Sequence, residues 1–235
     1  MIEGEALAYE VHRSKQRRKT LSISIDPARG VRVLAPARTS KATIEALITE
    51  RAAWLLSKVA EQERAPAPRQ FVSGEVLPFR GKDLPLTVSG WIEEFIRVEL
   101  TPGGFRLSVP ANLPQSERQG MLRFALLRWY RAQAEDVFGD AVRKSAAVMG
   151  LTPQSVLVRD QRHRWGSCSF DGVIRLNWRL ILADEATLEY VVVHELAHLV
   201  QRNHSRDFWA LVEQYLPDCR ERRAELREAS SRLTF

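Results

Sequence analysis

Two short alternating runs stand out early in the chain, TLSISID over residues 20–26 and VRVLAP over 31–36. The Pro-Ala-Arg-Gly between them predicts a turn, so the pair reads as a β-hairpin. The apolar period then changes. Ile44, Leu47, Ile48, Leu55 and Val59 recur at helical spacing behind a capping Thr39 or Ser40, which predicts one helix over about 41–64. APAPRQ at 65–70 breaks the pattern and is the candidate hinge. Short strands are expected near 75–80, 83–88, 95–100 and 105–109, with Pro102-Gly103-Gly104 turning the chain between the last two. A long helical pattern fills 114–149, where Gly120 and Gly139 are weak points because each costs about 1 kcal/mol relative to alanine.

In the final third the period returns to two. VLVRD at 156–160 reads as a strand, and RWGSCSF and VIRLNWRLIL flank Asp171-Gly172, a strong signal for a tight hairpin. In the second arm Ile174, Leu176, Trp178, Leu180 and Leu182 are apolar with Arg175, Asn177 and Arg179 between them, which predicts a single strand with one buried face. Asp184 then caps a helix carrying EATLEYVVVHELAHLVQRN, and helices near 206–215 and 218–232 follow, divided at Pro217.

Composition narrows the setting. A chain of 235 residues, 45% hydrophobic and 27% charged, can bury one sizeable core or two small ones. No apolar run approaches the roughly 20 residues that a membrane helix needs, and the first residues lack the layout of a secretory signal. Cys168 and Cys219 make no disulfide framework, so a cytoplasmic protein is expected. The net charge of +6 raises the question of a polyanionic partner. The densest basic run holds Arg13, Lys15, Arg17, Arg18 and Lys19. It reads first as a solvated loop or strand edge, because no aromatic residues interleave it for base stacking. Nucleic acid is therefore a weakly supported partner, and no pattern fixes the oligomeric state.

The chemistry concentrates in His194-Glu195-Leu196-Ala197-His198, an H-E-x-x-H sequence. Two imidazoles four residues apart on a helix differ by about 40° and one turn, so they can share one ion. On a strand they would separate, and Glu195 would face away from both. Val191-Val192-Val193 favours a strand locally, but the helical wheel decides otherwise. Leu188, Val192, Val193, Leu196, Leu199 and Val200 fill one apolar sector, with His194, His198, Tyr190 and Gln201 opposite and Glu195 on the flank. His204 stands beyond a polar QRN stretch where the helix can end and Asn203 can turn the chain back. It is the leading third ligand, with Glu213 and Cys168 as rivals. Three protein ligands leave a fourth position open, as in catalytic zinc sites. A water bound there would be acidified, with Glu195 accepting its proton. Tyr190, Asn177 and Arg164 are candidate donors to the oxyanion.

RWGSCSFDGVIRLNWRLILA followed by YVVVHELAHLVQRNHSRDFWALVEQYLP resembles the YgjP-like metallopeptidases, relatives of the SprT-like and WLM zinc peptidases. The resemblance implies one zinc ion at His194, His198 and His204, Glu195 as catalytic base, and a peptide or protein substrate. It implies an α+β fold, with a strand-rich N-terminal part at 1–112 and a zincin-like catalytic part at 113–235, in one unit of about 15–232. The spacing of the three histidines is that of metzincins, but Gln201 stands where their glycine would be, so a metzincin fold is not expected. The SprT relationship also raises an alternative, a DNA-associated protease or nucleic-acid-binding factor that docks through 13–19.

Overall fold

Burial at every fourth residue holds 114–149 together as one helix. Leu122, Leu126, Tyr130, Ala134, Phe138, Val142 and Ala146 are all buried. A spacing of four drifts about 40° per step against the 3.6-residue turn, so the dry line winds around the helix. In the computed structural model this helix meets several other elements along its length. The structure describes residues 8–14, 16–17, 20–26, 30–63, 69–161, 163–230, 233 and 235. They form a mixed α+β architecture in two compact units, Met1–Arg69 and Gln70–Phe235.

In the first unit, strands β1 (Tyr9–Ser14), β2 (Ser22–Asp26) and β3 (Gly30–Pro36) form a sheet ordered β1-β3-β2. The expected hairpin is the antiparallel β2–β3 pair, and β1 joins β3 in parallel. The turn at 27–29 and most of the hinge at 65–70 lie outside the described residues. Val31, Val33 and Ala35 bury one face of β3 against Ile44, Ile48 and Leu55. Ser40 caps the first helix, its side chain accepting from the Thr43 N–H. The single helix expected here is two, α1 (Lys41–Glu50) and α2 (Ala52–Glu63), interrupted at Arg51. Of the basic run, Arg13 lies in β1 and donates to the carbonyls of Ala37 and Thr39, and Arg17 donates to Thr20 and Ser22. Lys15, Arg18 and Lys19 lie outside the described residues.

The second unit holds two sheets and four helices. β4 (Val76–Phe79), β5 (Lys82–Trp91), β6 (Arg97–Thr101) and β7 (Gly104–Pro110) are ordered β4-β5-β7-β6. After α3 (Gln115–Met149), β8 (Ser155–Arg159), β9 (Gly166–Cys168) and β10 (Val173–Asn177) are ordered β8-β10-β9. The Asp171-Gly172 hairpin forms as the antiparallel β9–β10 pair, its turn closed by the Gly172 N–H donating to Ser169. The long strand expected after it does not form. β10 stops at Asn177, and Trp178–Leu182 winds into a 3-10 helix. Asn177 caps that turn by accepting from the Arg179 N–H. Trp178, Leu180, Ile181 and Leu182 are all buried, so the alternating letters here mark a turn covered on nearly every side.

That 3-10 turn delivers the chain to α4 (Glu185–Ala197), which α5 (Arg206–Tyr215) and α6 (Cys219–Ala229) pack against. Asp184 caps α4, accepting from the Thr187 N–H at 2.7 Å. The β4–β5 turn fixes this junction. Arg80 and Gly81, both in left-handed backbone conformations, donate their N–H groups to the carbonyls of Ile181 and Leu182. A Cβ on Gly81 would lie 2.7 Å from that of Asp184. Gly81→Ala is therefore expected to lower unfolding free energy by about 1–3 kcal/mol through overpacking. Gly120→Ala, in the interior of α3 with open space around it, is expected to raise it by about 0.5–1 kcal/mol. Urea unfolding of the two variants checks both signs.

Candidate active site

α4 is helical through Val191-Val192-Val193 because packing overrides their local preference: all three are buried. Tyr190 is buried as well, so the side opposite the apolar sector is covered there too. The helix ends sooner than the polar QRN stretch suggests. Ala197 is its last residue and His198 its cap, still in right-handed helical geometry. Val200, expected in the apolar sector, lies beyond that end and is exposed. His194 and His198 thus occupy the final turn and the cap, where a following segment can reach them.

That segment is 199–205. It brings His204 back until its Nε2 stands 3.0 Å from Nε2 of His194, and one ring nitrogen from each of His194, His198 and His204 lies within 4.8 Å of the others. Ser205 caps α5 immediately afterwards by accepting from the Phe208 N–H. Glu213 and Cys168 are not part of this cluster: Glu213 accepts from Arg220, and Cys168 lies by Arg202. Phe208 is the supporting residue that sequence reasoning missed. Fully buried, its ring lies 4.9, 4.6 and 4.8 Å from those of His194, His198 and His204. Its signal was the Phe208–Val212 pair, one turn apart on an amphipathic helix. Trp209 stacks on His204.

The electrostatics suit metal ligation. Burial lowers the pKa of His194 to about 3, with the charges of His198, His204 and Arg223 acting in the same direction. Burial lowers that of His198 too. Both rings are held neutral, as a ligand must be. His198 Nδ1 is hydrogen-bonded to the Gln201 carbonyl at 3.0 Å, which leaves its Nε2 as the free lone pair. Nδ1 of His194, the ring atom turned away from His204, is buried with no hydrogen-bond partner among the described residues. A shared cation is the group that the three converging ring nitrogens fit, with His194 and His198 held unprotonated.

Glu195 faces β9. It is 5% exposed, and burial raises its pKa to about 7 against the opposing pull of the Arg164 guanidinium. Among the described residues none donates a hydrogen bond to it. The backbone of Gly166 is pressed onto its carboxylate, and a Cβ there would come within 2.6 Å of Oε1. The glycine of RWGSC is thus explained by space: any side chain would displace Glu195. Of the candidate oxyanion donors, Arg164 is exposed with its charge reaching Glu195. Tyr190 has its ring 5.9 Å from that of His194, and burial raises the pKa of its phenol. Asn177 is corrected: its amide donates to the carbonyls of Gln161 and Arg164 and accepts from Arg179, so it braces the loop before β9.

A profile for the YgjP-like metallopeptidase domain matches residues 19–229, and the chain belongs to that family. Two solved structures that it resembles over part of its length are metallopeptidase zymogens. One is abylysin of Pyrococcus abyssi, 26% identical over 38% of this chain and 90% of that one, with a TM-score of 0.36. The other is jannalysin of Methanocaldococcus jannaschii, 22% identical over 39% and 94%, with a TM-score of 0.36. No curated protein gives a significant match. Among the described residues, no helix is long and apolar enough to cross a membrane.

Two outcomes are expected of this geometry. Gly166→Ala should lower unfolding free energy by about 1–3 kcal/mol through the clash with Glu195, read by urea denaturation. The second concerns metal-free protein. Because the folded-state pKa of Glu195 is raised, its contribution to stability is present below about pH 4.5 and is lost as pH rises through about 7. His194 acts oppositely, its lowered value removing stability as pH falls. Comparison with Glu195→Gln isolates the carboxyl: the variant's advantage should grow by roughly 2–4 kcal/mol between pH 4.5 and 8. Equal pH profiles would count against the buried carboxyl.

Proposed function

We propose that the protein is a zinc-dependent peptidase in which His194, His198 and His204 hold one ion and Glu195 is the general base. The observation that carries this reading is the convergence of three imidazole nitrogens at the end of a helix whose buried Glu195 carboxylate accepts no hydrogen bond among the described residues. A zinc ion held there supplies a Lewis acid that acidifies water and polarises a carbonyl. Glu195 takes the proton of the attacking water and passes it to the departing amine nitrogen. A carboxyl poised near neutrality serves both halves of that transfer, and burial is what poises it. Arg164 and Tyr190 are the donors assigned to the developing oxyanion.

The substrate enters as an extended chain along β9. Among the described residues this strand is an edge, paired only with β10, and Gly166 at its start lies against Glu195. An open edge beside the base offers main-chain hydrogen bonds to a peptide in register with the scissile bond. In this reading the catalytic part is zincin-like and spans about 113–235, with strand-rich residues 1–112 before it, in a single YgjP-like unit of about 15–232.

Elemental analysis of purified protein is expected to give about one zinc per chain. Glu195→Gln should keep that metal while peptide hydrolysis falls by about 10²–10⁴-fold. A variant that retained both metal and activity would remove Glu195 from the chemistry.

A further inference from the structure

α5 and α6 flank an open groove of about 720 Å³ that the proposed reaction leaves unused, with Trp209 in its lining. Its lining carries four arginines, Arg206, Arg220, Arg223 and Arg227, and a single glutamate, Glu213. Arg220 is satisfied, because its guanidinium donates to Glu213. Its neighbour Arg222, outside the groove, is satisfied as well by Glu189 and Asp218. Arg206, Arg223 and Arg227 form no ion pair among the described residues.

Like charges gathered in one concavity repel, and the surplus makes the groove attractive to an anion. The groove is also tied to the site. The Arg223 guanidinium lies 4.9 Å from the ring centroid of Trp209, and Trp209 stacks on His204 at 5.9 Å. Arg223 is therefore held by an aromatic plane one ring away from the histidines. A guanidinium fixed in this way is suited to planar recognition of a carboxylate or phosphate.

We infer that this groove is an anion-selective subsite, which binds an acidic side chain of the peptide substrate near the scissile bond through Arg223, Arg227 and Arg206. The inference rests on the peptidase reading and specifies its substrate class: peptides carrying carboxylate or phosphate groups. A peptide is favoured over nucleic acid as occupant because the groove is lined by a single aromatic ring, Trp209, which Arg223 and His204 already engage, and so offers no run of stacking platforms for bases.

The test is binding to the zinc-loaded Glu195→Gln protein, which separates recognition from turnover. Fluorescein-labelled peptides of one backbone sequence carry either two glutamates, two phosphoserines or two glutamines, and fluorescence anisotropy gives each affinity. The glutamate or the phosphoserine peptide, or both, should bind at least about tenfold more tightly than the glutamine peptide. Whichever does so identifies the anion. The preference should weaken with added salt. Arg223→Gln/Arg227→Gln should bring the anionic peptide down to the level of the glutamine peptide with zinc content unchanged, whereas Arg128→Gln, exposed on α3, should keep the preference. Equal binding of all three peptides, or a preference that survives the double substitution, overturns the inference. So does a short oligonucleotide that displaces the acidic peptide at lower concentration than the unlabelled peptide itself. Should zinc-loaded wild-type protein cleave no peptide while the anion preference is present, the peptidase reading fails and the subsite stands.

Discussion

One turn of helix, about 5 Å long, carries opposite requirements on its two sides. The back of α4 must stay dry, and Val192, Val193 and Leu196 are buried to do so. Its front must hold neutral imidazoles and a carboxylate that can gain and lose a proton. Both follow from the same burial. Desolvation keeps His194 unprotonated and lifts Glu195 toward neutrality, opposite movements of an acid and a base in one low-dielectric pocket.

Maintaining that pocket falls to neighbours rather than to the helix itself. The β4–β5 turn fixes where α4 starts, through Gly81 against Asp184. Asn177 stiffens the approach to β9, and Gly166 sets the distance between that strand and Glu195. Phe208 supplies the floor on which three rings rest. Such outer contacts orient ligands and fix their tautomers, and changing them commonly weakens metal affinity by about 10–100-fold. The same α5 that brings Phe208 inward turns Trp209 outward to Arg223, so the inner site and the basic groove share one helix.

Much of this was legible in the chain. The β9–β10 hairpin announces itself through Asp171-Gly172, and α5 through its capping serine and its apolar stripe. His204 stands out as the next histidine after the helix, although α4 ends at Ala197, before the polar stretch expected to end it. What local pattern misleads on is the segment Trp178–Leu182. Alternation implies a strand there, but a 3-10 turn buried on nearly all sides leaves only Arg179 partly exposed, and the two look alike in letters. The break at Arg51 and the polar strand β1 have no periodic signature of their own. Gly166 is illegible for another reason: its role is a distance to Glu195, far along the chain, and no spacing encodes it. Phe208 shows in sequence only as a core residue of an amphipathic helix, and its contact with three histidines depends on the turn between α4 and α5.

The central claim is tested most directly by diffraction from crystals grown with zinc, with data collected on both sides of the zinc absorption edge. The account requires a single anomalous peak bonded to one nitrogen of each of His194, His198 and His204, with the fourth position free of protein and Glu195 uncoordinated beside it. No peak at the cluster, or a peak whose fourth position is closed by a protein side chain, would contradict it.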